Sequence, residues 1–186
     1  YDDNGYLTDG MELLQMQDGG TQTHQKNYYT QQLGFVFEPV KDWFIHADGN
    51  MRTYTNNQHY AVLPVSAHYA DGSPYYISWD GGASYSPGAS RVYEYRYKED
   101  YFTTNIYTDY SKTFNGHFIK AMVGFNAELT KYDSTSGQGD KLISAETPYL
   151  GQTTSEQKVS GGRAENSVAG FFGRINYNYE DRYMVE

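Results

Sequence analysis

The 186-residue sequence predicts an all-β protein: a portion of an antiparallel up-and-down transmembrane β-barrel, about five strands plus a stub. Three observations carry this. Two segments alternate strictly between an apolar row and a largely polar one, the connections between strands alternate short and long, and aromatic residues gather towards both strand ends. Short periplasmic turns, long extracellular loops and an outward apolar band between two aromatic girdles are the pattern of an outer-membrane barrel. A soluble β-sandwich also alternates, but its connections need not sort by length.

Taken in order, Asn27 to Glu38 sets Tyr29, Leu33, Phe35 and Phe37 on one side and Gln32, Gly34 and Glu38 on the other. Pro39 to Asp42 reads as a turn, because proline cannot donate to a central ladder. From Trp43 to Thr53, Trp43, Ile45, Ala47, Gly49 and Met51 alternate with Phe44, His46, Asp48, Asn50 and Arg52. The stretch from Tyr54 to Lys98 is rich in Gly, Ser, Asp and Tyr and reads as a long surface loop.

Phe102 to Tyr110 follows as a strand, with Phe102, Thr104, Ile106, Thr108 and Tyr110 against Thr103, Asn105, Tyr107 and Asp109. Phe114 to Gly116 is a turn, since Asn115-Gly116 is a strong hairpin signal. The clearest strand is Ile119 to Thr130: Ile119, Ala121, Val123, Phe125, Ala127 and Leu129 face one way, while Lys120, Met122, Gly124, Asn126, Glu128 and Thr130 face the other. After a second long loop, Tyr132 to Glu165, Ala169 to Tyr179 repeats the pattern with Phe171, Ile175, Tyr177 and Tyr179 opposed to Phe172, Arg174, Asn176 and Asn178. Glu180 to Arg182 turns the chain, and Tyr183 starts the stub.

The aromatics follow this layout. Phe35, Phe37, Trp43, Phe114, Phe118, Tyr177, Tyr179 and Tyr183 crowd the three short turns, and Tyr28, Tyr29, Tyr54, Tyr101, Phe102 and Tyr132 lie towards the opposite ends.

Composition narrows the function classes. The net charge of −9 disfavours nucleic acid as a partner, because phosphate binding needs a basic face. Leu, Ile, Val and Phe make up only about 17% of the chain, a disorder-like value. The 21 Tyr, 9 Phe and 2 Trp argue for ordered strands instead, since aromatic side chains suit a pleated surface. The absence of cysteine excludes disulfides, thiolate metal sites and cysteine nucleophiles. No apolar run is long enough for a membrane-spanning helix, which leaves a strand-built span open. Tyr1 begins neither a signal peptide nor a translation start, so the expectation is a piece of a longer chain.

The run AGFFGRINYNYEDRYMVE, Ala169 to Glu186, resembles the "yfGRlnYnYkdrYlle" stretch of the SusC/RagA family of TonB-dependent outer-membrane transporters. HFIKAMVGFNAE, His117 to Glu128, is similar to the strand that precedes it there. The resemblance implies a barrel of about 22 strands around an N-terminal plug. It also implies a SusD-like lipoprotein as lid, the TonB-ExbB-ExbD complex as energy source, and oligosaccharides (glycans) or peptides as cargo. Residues 1–186 would then be part of one barrel domain in the outer membrane, bathed in its lipid, without plug, N-terminal region or closing C-terminal strands.

In that setting His46, Asp48, Arg52, Asn126, Glu128, Arg174 and Asn176 face the lumen, as plug contacts or a hydrophilic route. The bland alternative is that a lumen face is polar in any barrel. In the first long loop, Tyr75, Tyr76 and Trp79 could stack on sugar rings while Asp80 accepts hydroxyl protons. Burial against a neighbouring loop or a partner serves equally. Asp2, Asp3, Asn4 and Asp9 miss the EF-hand spacing and read as a solvated turn. No HExxH pair, Gly-x-Ser-x-Gly elbow or phosphate loop is present, so neither an enzyme nor a cofactor or metal site is expected. The competing reading is a soluble β-rich surface module that binds glycans without a membrane role.

Overall fold

The computed structural model describes residues 5, 11–69, 71–77, 83–84 and 90–186. Strand dominates, and the long strands form an up-and-down meander. β1 (Gln22–Val40), β2 (Trp43–Val62), β6 (Arg91–Phe114), β7 (His117–Asp140), β8 (Lys158–Tyr179) and β9 (Tyr183–Val185) make one antiparallel six-stranded sheet in that spatial order. Between β2 and β6 the chain forms a small second sheet of β3 (Val65–His68), β4 (Pro74–Ile77) and β5 (Ala83–Ser84). A short helix, α1 (Met11–Asp18), precedes β1.

The strands are longer than their sequence pattern suggests. β6 and β7 each run for 24 residues. The segments read as long loops begin as strand on both sides, because beyond Thr53 and Tyr132 both faces turn polar and the alternation that betrays a strand disappears. The connections that remain are residues 63–90, which hold the small sheet, and residues 141–157, which hold a single 3-10 turn at Leu150–Gln152. α1 escapes a reading by period because eight residues are too few to show one.

The chain divides into two compact units. The first comprises Tyr1–Asn27, Thr55–Tyr97 and Ser134–Gly162; the second comprises Tyr28–Tyr54, Lys98–Asp133 and Arg163–Glu186. All three short turns belong to the second unit and both long connections to the first, which is the length sorting read from the sequence. The first unit has a small apolar core of Ala61, Val62, Val65 and Val92.

Each short turn is built by its own residues. Asn115 and Gly116 both take positive φ (47° and 82°), as a tight hairpin turn demands. Glu180 and Asp181 do the same at 47° and 56° without glycine, and Asn178 donates to Asp181 Oδ1 at 2.6 Å across the turn. At the first turn the Asp42 amide donates to Glu38 Oε1 at 2.9 Å. Pro39 lies inside β1, which has a neighbour on one side only in the sheet order, so its missing N–H breaks no central ladder. The stub is a true strand: Tyr177, Asn178 and Tyr179 pair with Val185, Met184 and Tyr183.

Candidate functional site

In the second unit, side chains separate onto a polar and an apolar face, as strand alternation requires. On the polar face the Asp109 carboxylate, almost buried, joins two other strands: His46 Nε2 lies 3.0 Å from Oδ1 and Lys120 Nζ lies 3.1 Å from Oδ2. The His46 ring stacks on Tyr107, with centroids 4.3 Å apart and planes 7° apart, and Tyr107 in turn meets Phe172 at 6.5 Å. Gly124 lies beneath this contact and makes room for it: a Cβ there would overlap the Phe172 ring and lie 2.6 Å from Tyr107 Cβ.

Further along the same face Asn126 donates to Asn105 at 2.6 Å. Arg52 pairs with Glu99 at 3.3 Å, its guanidinium lies 5.2 Å from the Tyr101 ring centroid, and the Tyr101 hydroxyl hydrogen-bonds to Glu128. Tyr54, two residues on from Arg52, stacks on Tyr28 at 4.7 Å. The face therefore offers flat rings beside charged groups of both signs.

The residues expected on this face have distinct fates. His46 joins Asp109 and Lys120, while Arg52 and Glu128 meet through Tyr101. Asn126 pairs with Asn105, and an Asp48 oxygen lies 2.9 Å from where a Cβ on Gly34 would be. Arg174 pairs separately with Glu186 at 2.6 Å, and Asn176 shares its row by strand alternation. The sequence reading missed Glu99, Tyr101, Tyr107 and Asp109 as partners, although their parity on β6 was available as a signal. In the first unit Tyr75 and Tyr76 are strand residues of β4, paired with Ala67 and Ser66. Trp79 and Asp80 lie outside the described residues, as do Asp2, Asp3, Asn4 and Asp9.

The apolar face carries a shallow groove of about 350 Å³ along Trp43, Ile45, Ile106, Val123, Phe125 and Phe171. Phe125 and Phe171 touch across strands at 5.1 Å, yet Phe171 remains 85% exposed. Polar groups here are internally satisfied: Trp43 Nε1 donates to Thr108 Oγ1 at 2.6 Å, and that hydroxyl donates to the Phe44 carbonyl at 2.9 Å. Near the turns Phe114, Tyr177 and Tyr179 surround the His117 ring at 5.5, 5.9 and 4.6 Å. The aromatics expected as the opposite girdle divide instead, with Tyr28, Tyr54 and Tyr101 on the polar face.

Three solved structures share this architecture. One, of the RagAB peptide transporter, superposes with a TM-score of 0.74 at 13% identity, over 89% of this chain and 17% of that one. Structures of the RagAB peptide importer in its 'closed-closed' and 'open-open' states each give 0.71 at 14% identity, over 87% and 89% of this chain. The fold is that of a stretch of transporter β-barrel. The chain spans about 17% of the length of those transporter chains. No protein-family profile matches the sequence, and no curated protein matches it.

Proposed function

We propose that this chain is part of the wall of a SusC-like, TonB-dependent transporter of the outer membrane. The observation that carries the reading is the apolar row of β7. Ile119 to Leu129 is ten residue steps, about 34 Å along a strand. At the tilt of about 40° usual for such barrels this spans about 26 Å, against an apolar band of about 25 Å. Each Ile, Leu, Val or Phe that leaves water for hydrocarbon contributes about 1.5–3 kcal/mol. In water the same row would be a large exposed apolar patch, which disfavours the soluble glycan-binding alternative.

The sheet edges support the same reading. β1 is 19 residues long, exposed throughout, and has no neighbour on its outer side among the described residues. Of the 22 residues of β8, three pair with β9. Long free edges invite unwanted pairing, and barrel closure is the arrangement that removes them. The remaining strands, the plug and the closure come from the rest of the polypeptide.

In the mechanism proposed, a SusD-like lipoprotein and the outer loops capture the cargo, the plug blocks the lumen, and TonB-ExbB-ExbD displaces it. The polar face with Arg52, Tyr101 and Glu128 lines the route, as do His46, Asp48, Asn126, Arg174 and Asn176. The cargo is a peptide or an oligosaccharide, and the likeness in fold to the RagAB peptide transporter favours the peptide. The test is purification of the full-length protein from membranes. It should need detergent and carry a lid lipoprotein with it; a monodisperse, detergent-free protein in buffer would refute the proposal.

A further inference from the structure

The apolar face of the second unit ends, away from the short turns, in a band of charge that nothing in the transport route uses. Six residues make it, in three ion pairs. Lys98 Nζ is 2.7 Å from Asp100 Oδ2, Lys131 Nζ is 3.7 Å from Glu165 Oε2, and Arg163 Nε is 2.5 Å from Asp133 Oδ2. Thr53 also donates to Asp100 at 2.7 Å, and the Lys131 charge acts on Asp100, which links the first two pairs. They border a cleft of about 480 Å³. Alternation along the strands sets them on the row of Val123, Phe125 and Phe171, not on the row of Lys120 and Asn126.

We propose that this band binds the phosphorylated sugar headgroup of a glycolipid of the lipopolysaccharide class, with the lipid's acyl chains lying in the groove along Val123, Phe125 and Phe171. The inference rests on the membrane reading above and adds a ligand to its outer surface. Three features favour this occupant. The first is length: from Gly124, the middle of the apolar row Ile119–Leu129, to Lys131 is seven residues, about 24 Å along the strand, or about 18 Å at the usual barrel tilt. That exceeds half a hydrocarbon core, about 15 Å, by a few ångströms and so brings the charges to headgroup depth.

The second feature is charge. Lys98, Lys131 and Arg163 supply donors that suit phosphate oxygens. The carboxylates of Asp100, Asp133 and Glu165 are hard oxygen ligands that can share the divalent cations bridging neighbouring phosphates. A lone anionic phospholipid would favour the cations and repel the acids, whereas a surface of phosphates with divalent cations suits both. The third is availability. The side chains of Lys98, Lys131 and Arg163 are 53%, 50% and 87% exposed, so their present ion pairs are weak and a phosphate can replace them at little cost.

The test uses the full-length protein extracted from its own membrane with mild detergent, and measures phosphorylated glycolipid and phospholipid retained per protein. Wild type should retain the glycolipid. The triple variant Lys98→Ala/Lys131→Ala/Arg163→Ala should lose it at least fivefold with phospholipid unchanged, and Lys98→Arg/Lys131→Arg/Arg163→Lys should keep it. A divalent-cation chelator should reduce retention in wild type but not in Asp100→Asn/Asp133→Asn/Glu165→Gln. Equal glycolipid in wild type and the alanine variant, phospholipid in its place, or loss in the conservative variant would overturn the proposal while leaving a detergent-dependent barrel intact. A protein that enters no membrane at all would instead defeat the reading beneath it.

Discussion

The Phe172 ring fills the space that a side chain at Gly124 would need, packing over the bare backbone of β7 against Tyr107. An aromatic ring on one strand thus covers a glycine on its neighbour and helps to pin the register of the two strands on their polar face, as Phe125 and Phe171 do on the apolar one. Gly124→Ala should therefore destabilise the folded barrel by about 1–3 kcal/mol, the usual cost of overpacking. Gly124→Ala/Phe172→Leu should recover part of that loss. Urea unfolding of the full-length protein in detergent or lipid measures both.

Asp109 holds His46 and Lys120 at once from a nearly closed position. Asp109→Asn keeps the shape but leaves Lys120 without its counter-charge, so a loss of about 1–3 kcal/mol is expected. Lys120→Met, on a half-exposed side chain, should cost less than about 1 kcal/mol. The same titrations rank the two variants, and an equal effect would show that Asp109 is not the hub.

The hairpin turns give a matched pair of tests. Gly116 has φ +82°, and a Cβ there would lie 3.2 Å from Glu180 Cγ, so Gly116→Ala should cost about 1 kcal/mol. Glu180→Asn, at φ +47°, should be stabilising by less than about 1 kcal/mol, because asparagine visits the left-handed region more readily. Thermal unfolding in detergent should move in opposite directions for the two.

In the turn before β4, Asp71 accepts the Ser73 hydroxyl at 2.6 Å and the Ser73 amide at 2.9 Å. The hydroxyl bond first, and the amide bond after it, hold its carboxyl below the usual 3.8. A depressed folded-state pKa contributes stability that is present above the unfolded value and is lost as pH falls through the folded one. The turn should thus stay closed at neutral pH and open only below about pH 4. Amide exchange at Ser73 followed against pH should show this, and Asp71→Asn should abolish the dependence.

Sequence reading succeeds here where the two faces of a strand differ in chemistry. Ile119 to Thr130 and Ala169 to Tyr179 could be read because one row is apolar and the other polar. β2 beyond Thr53 could not, since polar residues on both faces leave no period, and the strands Val65–His68 and Pro74–Ile77 were hidden among loop-forming residues. The start of β6 did carry a period, Tyr93, Tyr95 and Tyr97 alternating with Glu94, Arg96 and Lys98, which reading the whole of Tyr54 to Lys98 as loop passed over. His46, Asp48, Arg52, Asn126 and Glu128 were legible as members of one face. Their partners were not: that Asp109 meets both His46 and Lys120, or that Tyr101 joins Arg52 to Glu128, depends on cross-strand register, which a single strand's pattern does not contain. Most of the charged band was hidden because Asp133, Arg163 and Glu165 fell in a segment read as loop.

The most direct test places single nitroxide labels on the full-length protein in bilayers, at Val123, Phe125 and Phe171 on one face and at Lys120 and Asn126 on the other. Collision with oxygen, which concentrates in hydrocarbon, should exceed collision with a water-soluble nickel chelate at the first three positions, and the order should reverse at the other two. Chelate-dominated signals at Val123, Phe125 and Phe171 would mean that this row faces water, and the transporter-wall account would fall.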